Sequence, residues 1–236
     1  MDLVWFVRPG ENEELRYSMR SLTASIPHDN VWTVGHPPAW CVGARRIAPP
    51  LQATKFATVN LGIRQACENA AVSDPFILCN DDFFYVGEPL KEMPTMHRES
   101  LQAMWRELNR HYPNGSWTIG ARDTIWHLRK LGYPDPLSYE LHSPLVVHKT
   151  AMLKALDQIP FIKSPRPFVR TMASVFADLG GTETPDNKLS LLEPTVQRAG
   201  WLSCEDATFD DLQPFLHEQF PSPCQYERQP VIQYRP

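Results

Sequence analysis

The chain has 236 residues, of which 42% are hydrophobic and 21% are charged, and its formal net charge is −4 at pH 7. This length fits one α/β domain with a large core, and two full domains are not expected. The mildly acidic charge gives no electrostatic signature of a nucleic-acid-binding protein, although a local basic cleft can exist under such a total. The 23 Pro residues are roughly twice the usual share, which predicts many rigid loops.

No apolar run approaches the roughly 18 residues that a membrane-spanning helix requires. The first seven residues predict a strand, because a signal peptide would need a basic start and a longer apolar stretch. We therefore expect a cytoplasmic location. The five Cys are widely spaced and contain no CxxC pair, so neither a disulfide framework nor a zinc site is indicated.

Strand and helix patterns alternate through the first 80 residues. Short apolar runs predict strands at residues 3–7, 31–35 and 76–79. Residues 11–25 and 54–70 carry apolar side chains at helical spacing. This alternation predicts an α/β fold with a mostly parallel, doubly wound sheet flanked by helices, as in nucleotide-binding layers.

The third predicted strand stops abruptly at Asn80, Asp81 and Asp82, and the apolar run 83–85 follows. Open α/β sheets place their ligands at the carboxyl ends of strands. Two adjacent carboxylates without a neighbouring base favour Mg²⁺ or Mn²⁺, which can bridge them to a diphosphate. The alternative is an Asx turn in which these side chains only bind the backbone. We favour a metal site, with Asp82 as direct ligand and Asp81 as second ligand or as a catalytic group that contacts a ribose or a metal-bound water.

Basic and amide side chains follow or flank the same strand ends. We expect Arg8, Arg16 and Lys55 to pair with phosphates, because Arg presents a fork that matches phosphate oxygens. Asn60 and Asn80 complete the predicted set of residues that bind the nucleotide part of the ligand. For Arg16, a solvated position on a helix surface is an equal alternative.

The pattern changes after residue 87, where an inserted helical lobe is predicted. The predicted elements of this part are helices at 99–112, 122–131, 150–156, 168–179 and 209–220, and a strand at 201–204. Trp105, Trp117 and Trp126 could stack on a sugar or a base, although aromatic residues at helical spacing belong more often to a core. Asp186, Lys188 and Asp206 form a weaker set, either near a metal or in surface turns.

Residues 139–147 predict a strand that presents Glu140 and His142 on one face, because side chains alternate along a strand. Either group could take the proton of an attacking hydroxyl as a general base. The alternative for His142 is a structural role before Pro144. The family resemblance described next favours the functional interpretation.

Three blocks of the sequence resemble, in order, the conserved blocks of the Stealth-type sugar-phosphate transferases of capsule synthesis. These blocks are residues 14–22 (ELRYSMRSL), 80–84 (NDDFF) and 142–144 (HSP) with Lys149. The layout of 139–144, of Gly180 and Gly181 followed by Asp186 and Lys188, and of the ending 220–227 looks like that of small glycosyltransferases of actinobacterial phages, over nearly the whole chain. In the capsule family the first strand runs into Trp-Val-Asp, whereas here Arg8 follows Val7.

The resemblance implies one GT-A-like domain over residues 1–236, with a nucleotide-sugar-binding half (1–90), a helical insertion (91–135) and an acceptor half (136–236). It implies Mn²⁺ or Mg²⁺, a nucleotide-diphospho-sugar donor, and sugar transfer to a hydroxyl acceptor, such as a hydroxylated base of phage DNA or a virion protein in the host cell. Two alternatives stay open. One is a sugar-1-phosphate phosphotransferase of the capsule type, and the other is a non-catalytic carbohydrate-binding protein.

Overall fold

The computed structural model describes residues 1–48, 52, 54–186, 188–189 and 200–228. The described strands are β1 (Leu3–Val7), β2 (Val31–Gly35), β3 (Arg45–Ile47), β4 (Phe76–Asn80), β5 (Phe83–Tyr85), β6 (Met96–His97), β7 (Leu145–Val147), β8 (Thr182–Glu183), β9 (Lys188–Leu189) and β10 (Trp201–Cys204). The described helices are α1 (Glu13–Ser25), α2 (Lys55–Glu68), α3 (Leu101–His111), α4 (Ser116–Lys130), α5 (Lys149–Gln158), α6 (Val169–Phe176) and α7 (Asp206–Gln219), with a 3-10 turn at Ile159–Phe161.

The central sheet has the strand order β3-β2-β1-β4-β7. The first four strands are parallel, and Trp5 of β1 lies between Thr33 of β2 and Cys79 of β4. Strand β7 runs antiparallel to β4, with Leu145 opposite Leu78. The predicted α/β fold with a mostly parallel sheet flanked by helices is confirmed.

Helices cover both faces of the sheet. Apolar residues of β1 alternate between the two faces, so each face offers an apolar surface on which helices pack. On one face, Leu3 and Trp5 belong to a core cluster that includes Leu15 and Met19 of α1. On the other face, Val4 joins a larger cluster with residues of α2, α5 and α6. The sheet is therefore doubly wound, as the alternation of strands and helices predicts.

The connections reverse direction between β1 and β4. The chain runs outward from β1 through β2 to β3, and then returns to place β4 on the other side of β1. In open α/β sheets, loops that diverge at such a switch point leave a crevice at the carboxyl ends of the strands, where ligands bind. Arg8 follows β1 and Asp81 follows β4, so both residues lie at this crevice.

A small second sheet extends from the crevice, with the order β5-β10-β9. Strand β5 pairs antiparallel with β10, so that Phe83 lies opposite Ser203, and β9 runs parallel to β10 on its other side, with Lys188 opposite Ser203. A further pair, β6 and β8, is parallel. The second sheet brings β10 to the residues that follow β4.

Helices α3 and α4 form a separate layer with its own core around Leu101, Met104 and Phe168. Helix α4 begins at Ser116, six residues before the helix predicted at 122–131. Trp117 packs edge-on against Phe168 with ring centroids 4.9 Å apart, which favours the core alternative for this Trp. No helix among the described residues is long and apolar enough to cross a membrane.

The strand predicted at 139–147 is wrong for its first six residues, since β7 begins only at Leu145. Residues 139–144 form an extended loop whose backbone is bound by side chains. The amide of Tyr139 donates to Oγ1 of Thr171 (3.1 Å), and the amide of His142 donates to Oδ1 of Asp186 (3.0 Å). Side-chain acceptors thus replace the partner strand that the alternating pattern suggests.

The described C-terminal segment crosses α1 and is fastened by a buried carboxylate. Glu227, whose side chain is fully buried, accepts hydrogen bonds from Arg20 (2.6 and 2.8 Å) and from Arg16 (2.7 Å). Its neighbour Tyr226 accepts a backbone hydrogen bond from Val42. A buried carboxylate needs such partners to stay charged, and these cations lower the pKa of Glu227 despite its burial.

Candidate functional site

Carboxylates surround one Arg at the crevice between β1 and β4. The guanidinium of Arg8 donates to Glu14 (2.7 Å) and to Asp206 (2.8 Å), and its Nε lies 3.6 Å from Oδ2 of Asp81. Asp82 is the next residue along the chain. Three carboxylates therefore lie around a single guanidinium, and the charge of Asp82 also acts on Glu14. This excess of negative charge favours an additional cation.

Asn12 fixes the position of Asp81. It lies in the left-handed region (φ 47°) as the N-cap of α1, where its Oδ1 accepts from the amide of Leu15 (3.2 Å). Its Nδ2 donates to Oδ2 of Asp81 (2.7 Å). Asn tolerates this conformation better than most residues and is a favoured N-cap. One side chain therefore begins the helix and orients an acid at the end of β4.

Asp82 is oriented from the second sheet. The hydroxyl of Ser203 in β10 donates to Oδ2 of Asp82 (2.9 Å). Ser203 itself is fully buried and pairs with Phe83, the residue after Asp82. Since the pairing of β5 with β10 fixes both partners, Asp82 is held at the edge of the crevice by a rigid sheet.

The acids of this cluster differ in how easily they ionise. Burial raises the pKa of Glu14 to about 7, and the charges of nearby aspartates add to this effect, while Arg8 opposes it. Burial also raises the pKa of Asp81; Asn12 and Arg8 oppose the rise, and the neighbouring charge of Asp82 adds to it. A cation placed beside these groups would favour their charged forms.

We expect the pKa of Glu14 to appear in the pH dependence of stability. The raised pKa of Glu14 means that the folded chain favours its protonated carboxyl. This contribution to stability is fully present below pH 4.5, the ordinary pKa of the group, and is lost as pH rises through about 7. Relative to the Glu14→Gln variant, the wild-type chain should lose about 3 kcal/mol of unfolding free energy over this range. Urea unfolding of both proteins between pH 4 and 8 measures the difference. Parallel curves for the two proteins would contradict the assignment.

His142 forms a dyad with Asp186. Its Nδ1 lies 2.9 Å from both carboxylate oxygens of Asp186, and Nη1 of Arg98 lies 3.7 Å from the same carboxylate. Burial alone would raise the pKa of Asp186, but the hydrogen bonds from His142 hold it below its ordinary value. An ionised Asp186 accepts from Nδ1–H, which leaves Nε2 of His142 as the basic nitrogen.

Arg170 lies between the dyad and the acids. Its charge interacts with Glu140, Asp186 and Asp82, and burial lowers its pKa against these interactions. Its Nη2 donates to the carbonyl of Ser143 (2.7 Å). Its Nε is buried and finds no hydrogen-bond partner among the described residues. The guanidinium also lies 5.8 Å from the ring centroid of Phe83, the residue after Asp82. Arg170 therefore links the loop of His142 to the segment of Asp82.

Glu140 faces Arg170 from the loop before β7. Its Oε1 accepts from the amide (3.2 Å) and from the hydroxyl (3.1 Å) of Thr171. Burial raises the pKa of Glu140, while Arg170 and Thr171 lower it. These contacts favour a part in positioning Arg170 over the predicted part as a general base.

The other predicted ligand-binding residues lie at separate places. Arg16 pairs with Glu13 and Glu227 and stacks on Trp40 at 4.3 Å. Lys55 is the exposed first residue of α2, and Asn60 lines a cleft beside that helix. Asn80 ends β4, where its carbonyl accepts from Ser18. Among the weaker candidates, Asp186 joins His142, Asp206 joins Arg8, and Lys188 lies 3.6 Å from Glu205.

The chemistry of the acids fits a hard divalent cation. Asp81 and Asp82 supply carboxylate oxygens, the ligands that Mg²⁺ and Mn²⁺ prefer. In the described part of the chain, no group of three acidic, His or Cys side chains is arranged to hold an ion by itself. A site of this kind takes one or two carboxylates from the protein and the remaining ligands from substrate phosphates and water.

Several residues of the site were not among the sequence candidates. They are Asn12, Glu14, Arg98, Arg170 and Ser203. Glu14 stands in a block that carries the family resemblance, and Arg170 is the one charged residue within α6, so each had a weak local signal. The pairing of Ser203 with Asp82 joins residues 121 positions apart, and no local pattern reports such a contact.

No family model matches the chain, and a search of the curated proteins finds no match either.

Proposed function

We propose that this chain is a GT-A-like glycosyltransferase, which moves a sugar from a nucleotide-diphospho-sugar to a hydroxyl acceptor with Mn²⁺ or Mg²⁺. The observation that carries the proposal is the position of Arg170, whose guanidinium donates to the carbonyl of Ser143, the residue after His142, and lies 5.8 Å from the ring centroid of Phe83, the residue after Asp82. The acids at the switch point and the His142 dyad are therefore close enough to serve one substrate. The crevice is also where open α/β folds bind nucleotides.

In this proposal, the donor diphosphate binds at the carboxyl ends of β1 and β4. Asp82 and Asp81 would hold the metal, which supplies positive charge to the phosphate oxygens as the bond to the leaving group breaks. Arg8 holds Asp81 and Glu14 through its ion pairs. Its donors face carboxylates, so we assign it to the organisation of the acids and not to direct phosphate binding.

His142 acts on the acceptor. With Nδ1–H donating to Asp186, its Nε2 takes the proton of the acceptor hydroxyl as that oxygen attacks. Asp186 stays ionised and stabilises the imidazolium that forms. Arg170 contributes a guanidinium whose positive charge can stabilise the negative charge that develops on the donor phosphates during transfer.

A second candidate is the sugar-1-phosphate phosphotransferase reaction, and Arg170 is again the observation that favours it. In phosphoryl transfer the charge spreads over equatorial oxygens of the attacked phosphorus, and a planar guanidinium suits those oxygens. The same His142 would activate the acceptor hydroxyl. The two reactions differ in the bond that breaks.

The nucleotide product distinguishes the candidates. When the full chain is incubated with a panel of nucleotide-diphospho-sugars and Mn²⁺, the cognate donor should be cleaved slowly even without an added acceptor, because water can replace the acceptor hydroxyl. One nucleotide is then released. Glycosyl transfer leaves a nucleoside diphosphate, and attack on the β-phosphorus leaves a nucleoside monophosphate. Chromatography of the nucleotides identifies which is formed. If every donor is returned intact with and without added hydroxyl acceptors, both transferase candidates are contradicted.

A further inference from the structure

An open cleft of about 610 Å³ lies beyond the proposed transfer site. Its walls are the loop 132–137 after α4 and the C-terminal part of α6 with residues 178–180, and Tyr139 also lines it. Tyr139 precedes Glu140, which faces Arg170. Ser174, in the wall, follows Arg170 by four residues on α6, about 6 Å along the same side of the helix. The cleft therefore lies about one helical turn from Arg170.

The lining of the cleft combines aromatic rings with acids. Tyr133 and Phe176 have ring centroids 5.7 Å apart with an interplanar angle of 53°. Asp135 and Asp178 add two carboxylates to the wall. Among the described residues that line the cleft, none is basic. Two cations contact this lining, Arg129 through the carbonyl of Pro134 (3.0 Å) and Lys154 at 4.2 Å from the ring centroid of Phe176, but neither lines the cleft itself. The charged groups that line the cleft are carboxylates, which disfavours nucleotides and nucleic acid.

Ser174 provides an independent indication of a ligand. The residue is 2% exposed, and its hydroxyl has no hydrogen-bond partner among the described residues. Buried polar groups are rarely left unsatisfied, because the lost hydrogen bond is costly. A hydroxyl group of a ligand in the cleft would supply the missing partner.

We infer that this cleft binds a neutral saccharide, which is the acceptor of the transfer. A sugar ring has apolar C–H faces that pack on aromatic rings, and hydroxyl edges that donate to carboxylates and exchange hydrogen bonds with a hydroxyl. The lining supplies each of these partners. The acceptor role rests on the proposed function, whereas the binding of a saccharide stands on the cleft alone.

Binding to the full chain tests the inference without turnover. The probes are neutral tri- and tetrasaccharides of glucose, galactose, mannose and N-acetylglucosamine, observed by saturation-transfer NMR and titration. Ser174→Ala should weaken the bound saccharide roughly three- to tenfold and leave thermal stability equal or higher, because it removes an unsatisfied hydroxyl. Phe176→Leu should weaken it roughly tenfold. Phe161→Leu is the matched control, since this exposed ring lies outside the cleft.

The outcomes separate this inference from the proposed function. Saccharide binding that falls in Ser174→Ala and Phe176→Leu but not in Phe161→Leu supports it, even if no nucleotide sugar stabilises the chain. Binding of no saccharide overturns it, even if a donor with Mn²⁺ is turned over. Saccharide binding that is equal in all three variants, or displacement of the saccharide by a single-stranded DNA oligonucleotide, also overturns it.

Discussion

Replacement of Asp82 by Asn should reduce transfer at least roughly 1000-fold and leave the fold intact. The Asn side chain has the same shape and can still accept the hydrogen bond from Ser203, so the second sheet keeps its register. What is lost is the negative charge that holds the cation against the donor diphosphate. Initial rates of nucleotide release at saturating Mn²⁺ measure the effect.

The matched control for Asp82 is Asp157→Asn. Asp157 is an exposed carboxylate at the end of α5 that pairs with Arg64, and its replacement should leave the rate within about threefold of wild type, because surface ion pairs contribute little. Equal activity of the Asp82→Asn and wild-type chains would contradict the metal site. It would show that transfer does not depend on a cation held by the charge of Asp82.

The His142 dyad should behave as a unit. Replacement of His142 by Gln removes the base and should lower transfer roughly 100- to 10,000-fold, the range expected for general-base catalysis. Asp186→Asn keeps the side-chain shape but removes the charge that selects the Nδ1–H tautomer. The double variant should therefore be no slower than His142→Gln alone, since residues that act together are not additive.

The readout for the dyad is the initial rate of nucleotide release by the wild-type chain, the two single variants and the double variant. His142→Gln should still bind the donor, because His142 acts on the acceptor. Multiplicative effects of the two single replacements would contradict the dyad. So would a wild-type rate in His142→Gln.

The sequence predicts the sheet better than it predicts the site. Strands β1, β2, β4 and β10 are short, strongly apolar runs that end at turn residues or acids, so local pattern alone defines them. The position of Asp82 follows from the same logic, because the carboxyl ends of parallel strands meet at one edge. These predictions use only residues that are close together in the sequence, and the folded chain keeps the same local pattern.

The contacts that complete the site join residues far apart in the sequence, and local sequence patterns do not predict such contacts. Residues 139–144 have the alternation of a strand, yet Thr171 and Asp186 bind their backbone in place of another strand. Arg16 has the charge expected of a phosphate ligand, yet the C-terminal segment brings Glu227 to it. Arg170 could not be placed, because its partners Asp82 and Asp186 lie in segments on either side of it in the sequence.

The central claim is that the carboxyl edge of β1 and β4 binds a nucleotide-diphospho-sugar together with a cation. A thermal-shift panel of nucleotide sugars with and without Mn²⁺ tests it most directly. At about 100 times its dissociation constant, the cognate donor should raise the Tm by roughly 5 to 10 °C when Mn²⁺ is present, and Asp82→Asn should abolish the increase. If no donor raises the Tm of the wild-type chain with the metal, the account is contradicted.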